Sequence, residues 1–350
     1  MSTVAIQPGA SEMMAADDGG LHVGPIVAPA LDAAALEFSY EYCHTVTKKR
    51  ARNFYYGLRV TPEPKRSAIY AMYAWMRAGD DAADEPPTEQ ARREGFAEFR
   101  RTSIRVLAGD WSGVPRDTFW PAFVATVSNY GIDRHVIDEM MAGLEEDLDH
   151  QRYPTAVEFD QYCYRVGSTV GIACVAIWGL KPGADRALAR AKAEARGKAF
   201  QMTNILRDVA QDYDAADQRV YLPMDAIERH GLTPERLRKW ACDTACEALM
   251  LEQIKRARGF YRASQGLEDM IDPACRGALW GMTTIYRALL ERIADKPKRV
   301  FGRSRVRLSS LRKAAIALRA LIMSKWARPA AANEQTTGNE GSLASSAGQR

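Results

Sequence analysis

The sequence predicts an all-α protein, with helices packed around a central cavity. Ala, Leu, Arg, Glu and Met dominate it, apolar residues recur at three- and four-residue spacing, and strand-like alternation is scarce. Pro and Gly clusters punctuate the periodic stretches. Two of those stretches also carry carboxylates, amides and aromatics on one helical face, where a solvated helix would carry mixed Lys and Glu.

The chain divides as follows. Residues 1–34 lack the basic start and apolar block of a secretory signal, and their composition predicts a disordered leader. One all-α domain is expected over 35–328. Its helices are interrupted by "TPEP" at 61–64, "EPP" at 85–87, "AGDWSGVP" at 108–115, "KPG" at 181–183, "HGLTP" at 230–234 and "DKP" at 295–297. Residues 329–350 are polar and rich in small residues, as a disordered tail would be. No apolar run approaches the ~20 residues needed to span a bilayer, and no repeat of solenoid period is present. A composition of 47% hydrophobic and 26% charged residues is ordinary for a globular chain of 350. The net charge of +4 does not imply nucleic acid. Six cysteines without a CxxC pair, and only five histidines, argue against zinc or a disulfide framework and fit a reducing cytoplasm.

The first acidic stretch is "YAMYAWMRAGDDAADEP", Tyr70 to Pro86. On a helix, Tyr73, Arg77, Asp80 or Asp81, and Asp84 form one stripe. Asp80 and Asp84, one turn apart, can reach one divalent ion, and Tyr70–Trp75 are expected to contribute to an apolar wall behind them. In the second stretch Gln201, Asn204, Asp208 and Asp212 form a matching stripe, with Phe200, Ile205 and Val209 on another face. A single D-x-x-x-D suits a plain solvated helix equally well. Its repetition, and the cost of like charges one turn apart, favour a cation. Carboxylates without nearby His or Cys suit Mg²⁺, which binds through a few carboxylates plus substrate phosphates. Such a site would hold a diphosphate, and the departure of that diphosphate leaves a carbocation that aromatic faces stabilise.

Three segments resemble the head-to-head prenyl synthases, the family of phytoene synthase, squalene synthase and presqualene diphosphate synthase. "NFYYGLRVTPEPKRSAIYAMYAWMRAGDDAAD" is similar to the family's first aspartate-rich region, "YCYRVGSTVG" to its central signature, and "GKAFQMTNILRDVAQDYDAADQRVYLP" to its second aspartate-rich region. The resemblance spans about residues 39–320. It departs from the family at Gly167–Ser168, a small-for-small exchange that should keep close backbone packing, at Arg196, where an apolar residue is usual, and in a long loop from Asp212 to Arg219.

The resemblance implies an isoprenoid-synthase helical bundle with a central cavity that binds two prenyl diphosphates and Mg²⁺, for which Mn²⁺ can substitute. By position it makes Asp80, Asp84, Asp208 and Asp212 metal ligands, with Asp81 beside them. Arg77, Arg207, Arg219 and Arg305 become diphosphate contacts, with Gln201 and Asn204 at the same mouth; Arg299 and Arg303 compete with Arg305. Tyr73, Tyr162, Tyr221 and Tyr286 become catalytic wall positions, and Phe54, Leu58, Val166 and Gly171 line the prenyl pocket. Plainer readings stand beside these. Arg77 can pair with Asp81 or Asp84, and Tyr162 and Tyr286 can be core tyrosines.

Two products stay open: phytoene from two twenty-carbon diphosphates, and presqualene diphosphate or squalene from two fifteen-carbon ones. Leu58, one turn after Phe54, is of intermediate bulk and does not decide between them. No feature indicates NADPH, and oligomeric state is not legible. Residues 296–328 are basic, free of acids and interleaved with apolar residues, so this segment is either a peripheral membrane contact at the inner face or a core helix with solvated arginines. The rival functions are a class I terpene cyclase and a non-enzymatic basic helical membrane-binding protein.

Overall fold

The computed structural model describes residues 32–51, 58–149, 152–215, 218–302 and 304–326. The expected leader and tail lie almost wholly outside these, as do Phe54 and Arg303. Among the described residues there are helices and no strands; Arg152–Val220 and Leu180–Ile271 form isolated bridges.

Helix α1 (Ala33–Arg50) leads to α2 (Lys65–Asp84), α3 (Glu89–Leu107), α4 (Trp120–Asn129) and α5 (Arg134–Asp149). One continuous rod follows, made of α6 (Ala156–Cys163), a π-helical turn (Tyr164–Ser168) and α7 (Thr169–Trp178). Then come the long α8 (Arg186–Asp214), short α9 (Met224–Arg229) and α10 (Pro234–Arg238), α11 (Asp243–Ala263), α12 (Pro273–Asp295) and α13 (Ser310–Trp326), with 3₁₀ turns at Leu267–Asp269 and Pro297–Phe301.

The breaker clusters fall between these elements. "TPEP" precedes α2 and "EPP" follows it, while "KPG" separates α7 from α8. Thr233 and Pro234 of "HGLTP" supply the N-cap and first residue of α10. Local chemistry starts the other helices: Thr88 Oγ1 accepts from Ala91 N at 3.2 Å, Asp185 accepts from Leu188 N at 3.0 Å, and Thr155 with Glu158 forms a capping box. Each such cap contributes about 1 kcal/mol.

The core has two lobes. One gathers α1–α5 and α7 around Trp75, which is stacked on Phe123 at 4.6 Å and donates from Nε1 to Ser103 Oγ at 3.0 Å. The other gathers α6 and α8–α12 around Phe159, Met202 and Leu206. Helix α8 crosses the π-turn so tightly that a Cβ on Gly167 would stand 2.7 Å from Gly197 O. A Cβ on Gly197 would overlap Gly167 O and Ser168 Cα. Backbone contact therefore requires glycine at Gly167 and Gly197, while the buried Ser168 donates from Oγ to Glu194 O at 2.8 Å.

Arg196 is 4% exposed. Its Nε donates to Ser264 Oγ (2.9 Å), Nη2 to Ser264 O (2.9 Å) and Glu268 Oε2 (3.3 Å), and Nη1 to Glu268 Oε1 and Thr283 Oγ1. Five N–H groups meet five acceptors, so the buried guanidinium is fully bonded. Burial alone would raise the Glu268 carboxyl, but the Arg196 bonds hold it below the ordinary glutamate range.

Candidate active site

A cavity of about 730 Å³ lies between the two lobes, with walls drawn from both. Helix α2 presents Ile69, Met72, Tyr73 and Met76 to it, and α8 presents Ala193, Arg196, Gly197, Phe200, Gln201, Asn204 and Arg207. Leu58, Val166, Gly171 and Tyr286 line it as well. Tyr70 and Trp75 do not. Tyr70 stacks on His44 and Trp75 packs against Phe99 and Phe123, so the cavity-facing side of α2 is the next stripe round.

Both acidic stripes continue beyond the lining to one end of the cavity. From Ala193 to Asp212, at about 1.5 Å per residue, α8 rises about 28 Å from floor to mouth. Asp80, Asp81 and Asp84 occupy the last turn of α2, and Asp212 and Asp214 the last turn of α8; neither turn holds a base. A helix C-terminus carries partial negative charge, so acids there are doubly disfavoured unless a cation stands nearby.

The arginines only partly neutralise these acids. Arg207 donates to Asp208 from Nε (2.9 Å) and Nη2 (2.5 Å), and Arg305 from Nε (2.6 Å) and Nη2. Burial would raise Asp208, but these bonds hold its carboxyl below the ordinary aspartate range. Arg219 Nη2 lies 3.7 Å from Asp84 Oδ1 and links the second acidic segment to the first. Arg77 pairs with Asp81, its plainer reading, and stands 3.9 Å from Asp80. Arg50 joins the same cluster, 3.0 Å from Asp81 and 2.8 Å from Glu85.

Two carboxylates stay under-compensated. Asp80 is 41% exposed, in the acidic cluster at the end of α2. Loss of surrounding water, with the charges of Asp147, Asp84 and Asp81, pushes it up to about 7 against the pull of Arg77. Burial and the neighbouring Asp208 push Asp212 up to about 7. All the stripe acids are hard oxygen donors. Among the described residues no three His, Cys, Asp or Glu side chains converge into a closed cage. An open mouth of under-compensated carboxylates fits Mg²⁺, whose shell is completed by water and phosphate oxygens. Asp80, Asp84, Asp208 and Asp212 are the residues that could hold it.

Asp147 escaped the sequence reading. Its carboxylate accepts from Tyr162 OH at 3.1 Å and Tyr221 OH at 3.2 Å. Burial pushes it up to about 6, although Arg219 and both hydroxyls oppose the rise. Tyr162 and Tyr221 stack at 5.2 Å and lie outside the cavity lining, whereas Tyr73 and Tyr286 are on the lining, Tyr286 stacked on Phe200 at 4.5 Å. The available signal was periodicity: Asp147 continues the buried stripe of Met140, Gly143 and Leu144 on α5.

The family model for squalene/phytoene synthase matches residues 47–312. The chain belongs to the squalene/phytoene synthase family. It is an enzyme of prenyltransferase type, and the match falls within the span expected from its motifs. A relative in this family, the 15-cis-phytoene synthase of Synechocystis sp., is 33% identical over 278 residues, 77% of this chain and 81% of its own. The 15-cis-phytoene synthase of Synechococcus elongatus is 32% identical over 294 residues, 81% of this chain and 93% of its own. The structure of a dehydrosqualene synthase in complex with ligand superposes with a TM-score of 0.71 at 26% identity, covering 84% of this chain and 99% of that one. These family neighbours share the all-α isoprenoid-synthase fold.

Proposed function

We propose that the protein condenses two geranylgeranyl diphosphates head-to-head to give phytoene, using a single all-α catalytic unit over residues 35–328. The observation that carries this reading is the joining of an Asp- and Arg-ringed mouth to a deep apolar cavity. The names of the cyanobacterial relatives favour the twenty-carbon substrate.

Mg²⁺, or Mn²⁺ in its place, supplies charge that makes diphosphate a good leaving group. Arg207, Arg219 and Arg305 bind and orient the diphosphates, with Gln201 and Asn204 at the same rim. As one C–O bond breaks, the allylic cation lies among the faces of Tyr73, Phe200 and Tyr286. The C2–C3 double bond of the second substrate attacks it. Loss of a proton to released diphosphate closes a cyclopropane and gives a cyclopropylcarbinyl diphosphate. Its own diphosphate then leaves, the skeleton rearranges, and a second proton loss gives the hydrocarbon. No reductant enters this balance, so NADPH is not required. Met72, Met76, Met282 and Leu289 keep water from the cation. Asp147 orients the Tyr162 and Tyr221 hydroxyls beside the mouth.

No helix among the described residues is long and apolar enough to cross a membrane. We place the enzyme in the cytoplasm, with access to a bilayer surface for its product. The test is incubation with geranylgeranyl or farnesyl diphosphate and Mg²⁺, with and without NADPH, followed by mass analysis of the lipid extract. A forty-carbon hydrocarbon formed without NADPH is expected. A fifteen-carbon preference, ending in presqualene diphosphate or squalene, would overturn the substrate assignment.

A further inference from the structure

The far end of the cavity, opposite the acidic mouth, is closed by buried residues. Helix α2 runs from Lys65 up to the acids at Asp80–Asp84, so its first turns lie at that far end. The rod runs the other way. Gly167 packs on Gly197 and Gln201, and a Cβ on Gly171 would stand 2.9 Å from Ala193 O, so each step along α7 leads deeper. Val170, Cys174 and Trp178 line the cavity at four-residue spacing on one face of α7, and Trp178 ends the helix. It is buried, and a helical side chain is directed toward the N-terminus of its own helix, which on α7 is the direction of the mouth. Both its ring and its backbone are tied. Nε1 donates to Thr61 Oγ1 at 3.2 Å, and the carbonyl accepts from Lys65 Nζ at 2.5 Å. Lys65 Nζ also donates to Asp272 Oδ2 at 2.5 Å, and Asp272 N donates to Gly179 O at 2.9 Å. The starts of α2 and α12 thus hold the end of α7 between them.

We propose that Trp178 is the stop that sets the longest prenyl chain the enzyme accepts. At about 1.5 Å per residue, the α8 wall from Arg207 down to Ala193 is about 21 Å long. Trp178 lies two turns below the contact of Gly171 with Ala193, and its indole, directed upward, closes the space beneath. An extended carbon chain advances about 1.25 Å per bond, so the sixteen main-chain carbons of a twenty-carbon prenyl group span about 19 Å. A twenty-five-carbon group spans about 24 Å and runs into the indole, while a fifteen-carbon group spans about 14 Å and leaves the deepest turns of the wall uncovered. Ile69 and Leu279 share this end, but an aliphatic side chain can change rotamer, whereas the indole is pinned by Thr61. The length in carbons rests on the reading of the substrate as a prenyl diphosphate anchored at the mouth, and it gives the twenty-carbon choice a physical cause.

The experiment is turnover of the full chain with Mg²⁺ and prenyl diphosphates of ten, fifteen, twenty or twenty-five carbons, each supplied alone in detergent, with released diphosphate and lipid product both measured. In wild type, kcat/KM should fall at least about tenfold from twenty to twenty-five carbons, because the last isoprenyl unit has no pocket. Trp178→Ala should raise the ratio of twenty-five to twenty carbons at least about tenfold and yield a fifty-carbon product. Trp178→Leu, which keeps an apolar but lower floor, should shift the ratio the same way by less, and it stands in for an alanine variant that fails to fold. Cys174→Phe, one turn nearer the mouth, should raise the ratio of fifteen to twenty carbons at least about tenfold. Structural damage would lower turnover at every chain length and would not move the limit in two directions. Unchanged ratios in Trp178→Leu or in Cys174→Phe, or a wild type without an upper limit in the series, overturn the proposal. A wild type that prefers fifteen carbons, with its limit still moved up by Trp178→Leu and down by Cys174→Phe, overturns the twenty-carbon reading and upholds the stop.

Discussion

Arg196→Met tests how the cavity floor is held. In the wild type the Arg196 and Glu268 side chains are 5% and 15% exposed, and every guanidinium N–H has an acceptor. Methionine nearly fills the space but leaves Glu268 buried without its cation, along with orphaned acceptors at Ser264 and Thr283. Breaking a buried pair from one side costs about 3–5 kcal/mol. At about 2–4 °C per kcal/mol for a large domain, the melting midpoint should fall by roughly 10 °C. Removing both charges with Arg196→Met/Glu268→Met should restore stability to within about 1–2 kcal/mol of wild type, because no lone buried charge remains. The pH dependence has a definite sign. Glu268 has a depressed folded value in the wild type, so its contribution is present above the unfolded value of about 4.3 and is lost as pH falls through the folded one. In Arg196→Met that value rises and the carboxyl takes up a proton more readily, so the deficit should shrink between about pH 7 and pH 4. Thermal unfolding followed by far-ultraviolet circular dichroism reads all three. A single variant within about 1 kcal/mol of wild type, or a double variant as damaged as the single, would refute the reasoning.

Asp208→Asn should lower diphosphate release by roughly 100-fold or more, while the far-ultraviolet circular dichroism spectrum stays that of the wild type; full turnover would remove Asp208 from the machinery. Gly197→Ala forces a Cβ into the Gly167 carbonyl and should cost more than about 3 kcal/mol, whereas Gly113→Ala, at a surface turn with open space around it, should cost less, a difference that urea titration would reveal. Asp80 and Asp212, pushed up to about 7, should still hold part of their protons at about pH 6.5, so adding Mg²⁺ with inorganic diphosphate should release more protons to an indicator dye than the same mixture without protein, and Asp80→Asn/Asp212→Asn should abolish that excess. By the same sign, the ligand-free protein should gain stability from these two groups as pH falls from about 8 towards 5.

The helices and the acidic stripes were legible because both are periodic. Tyr73, Asp80 and Asp84 lie on one face by spacing alone, as do Asn204, Asp208 and Asp212. What period cannot tell is which of two apolar faces meets the cavity when a helix is buried on both. On α2 the aromatic face, Tyr70 and Trp75, went to the core, and the face with Met72 and Met76 went to the cavity. Asp147 was masked by its acidic neighbours, though its register with Met140 and Leu144 marked it as inward. Arg196 was recognised as out of place, but its partners lie 68, 72 and 87 residues further along the chain. No local pattern announces a network closed over that distance. Arg77 had two readings, and the nearer charge, Asp81, decided its position.

The π-helical turn at Tyr164–Ser168 sets a limit on how this chain can vary. It is a single surplus residue lodged inside a rod that is otherwise α-helical on both sides. Upstream of it Tyr162 reaches Asp147; downstream Val170, Cys174 and Trp178 face the cavity. The wide turn takes up one residue with little net rotation, so deleting one residue there would restore regular helical hydrogen bonding and leave the downstream half in nearly its present orientation. What the deletion would remove is the widened backbone at Gly167 and Ser168, against which Gly197 packs. Across descendants of this sequence, a one-residue loss should therefore fall within Tyr164–Ser168 rather than elsewhere in the rod, where it would turn the cavity wall by about 100°.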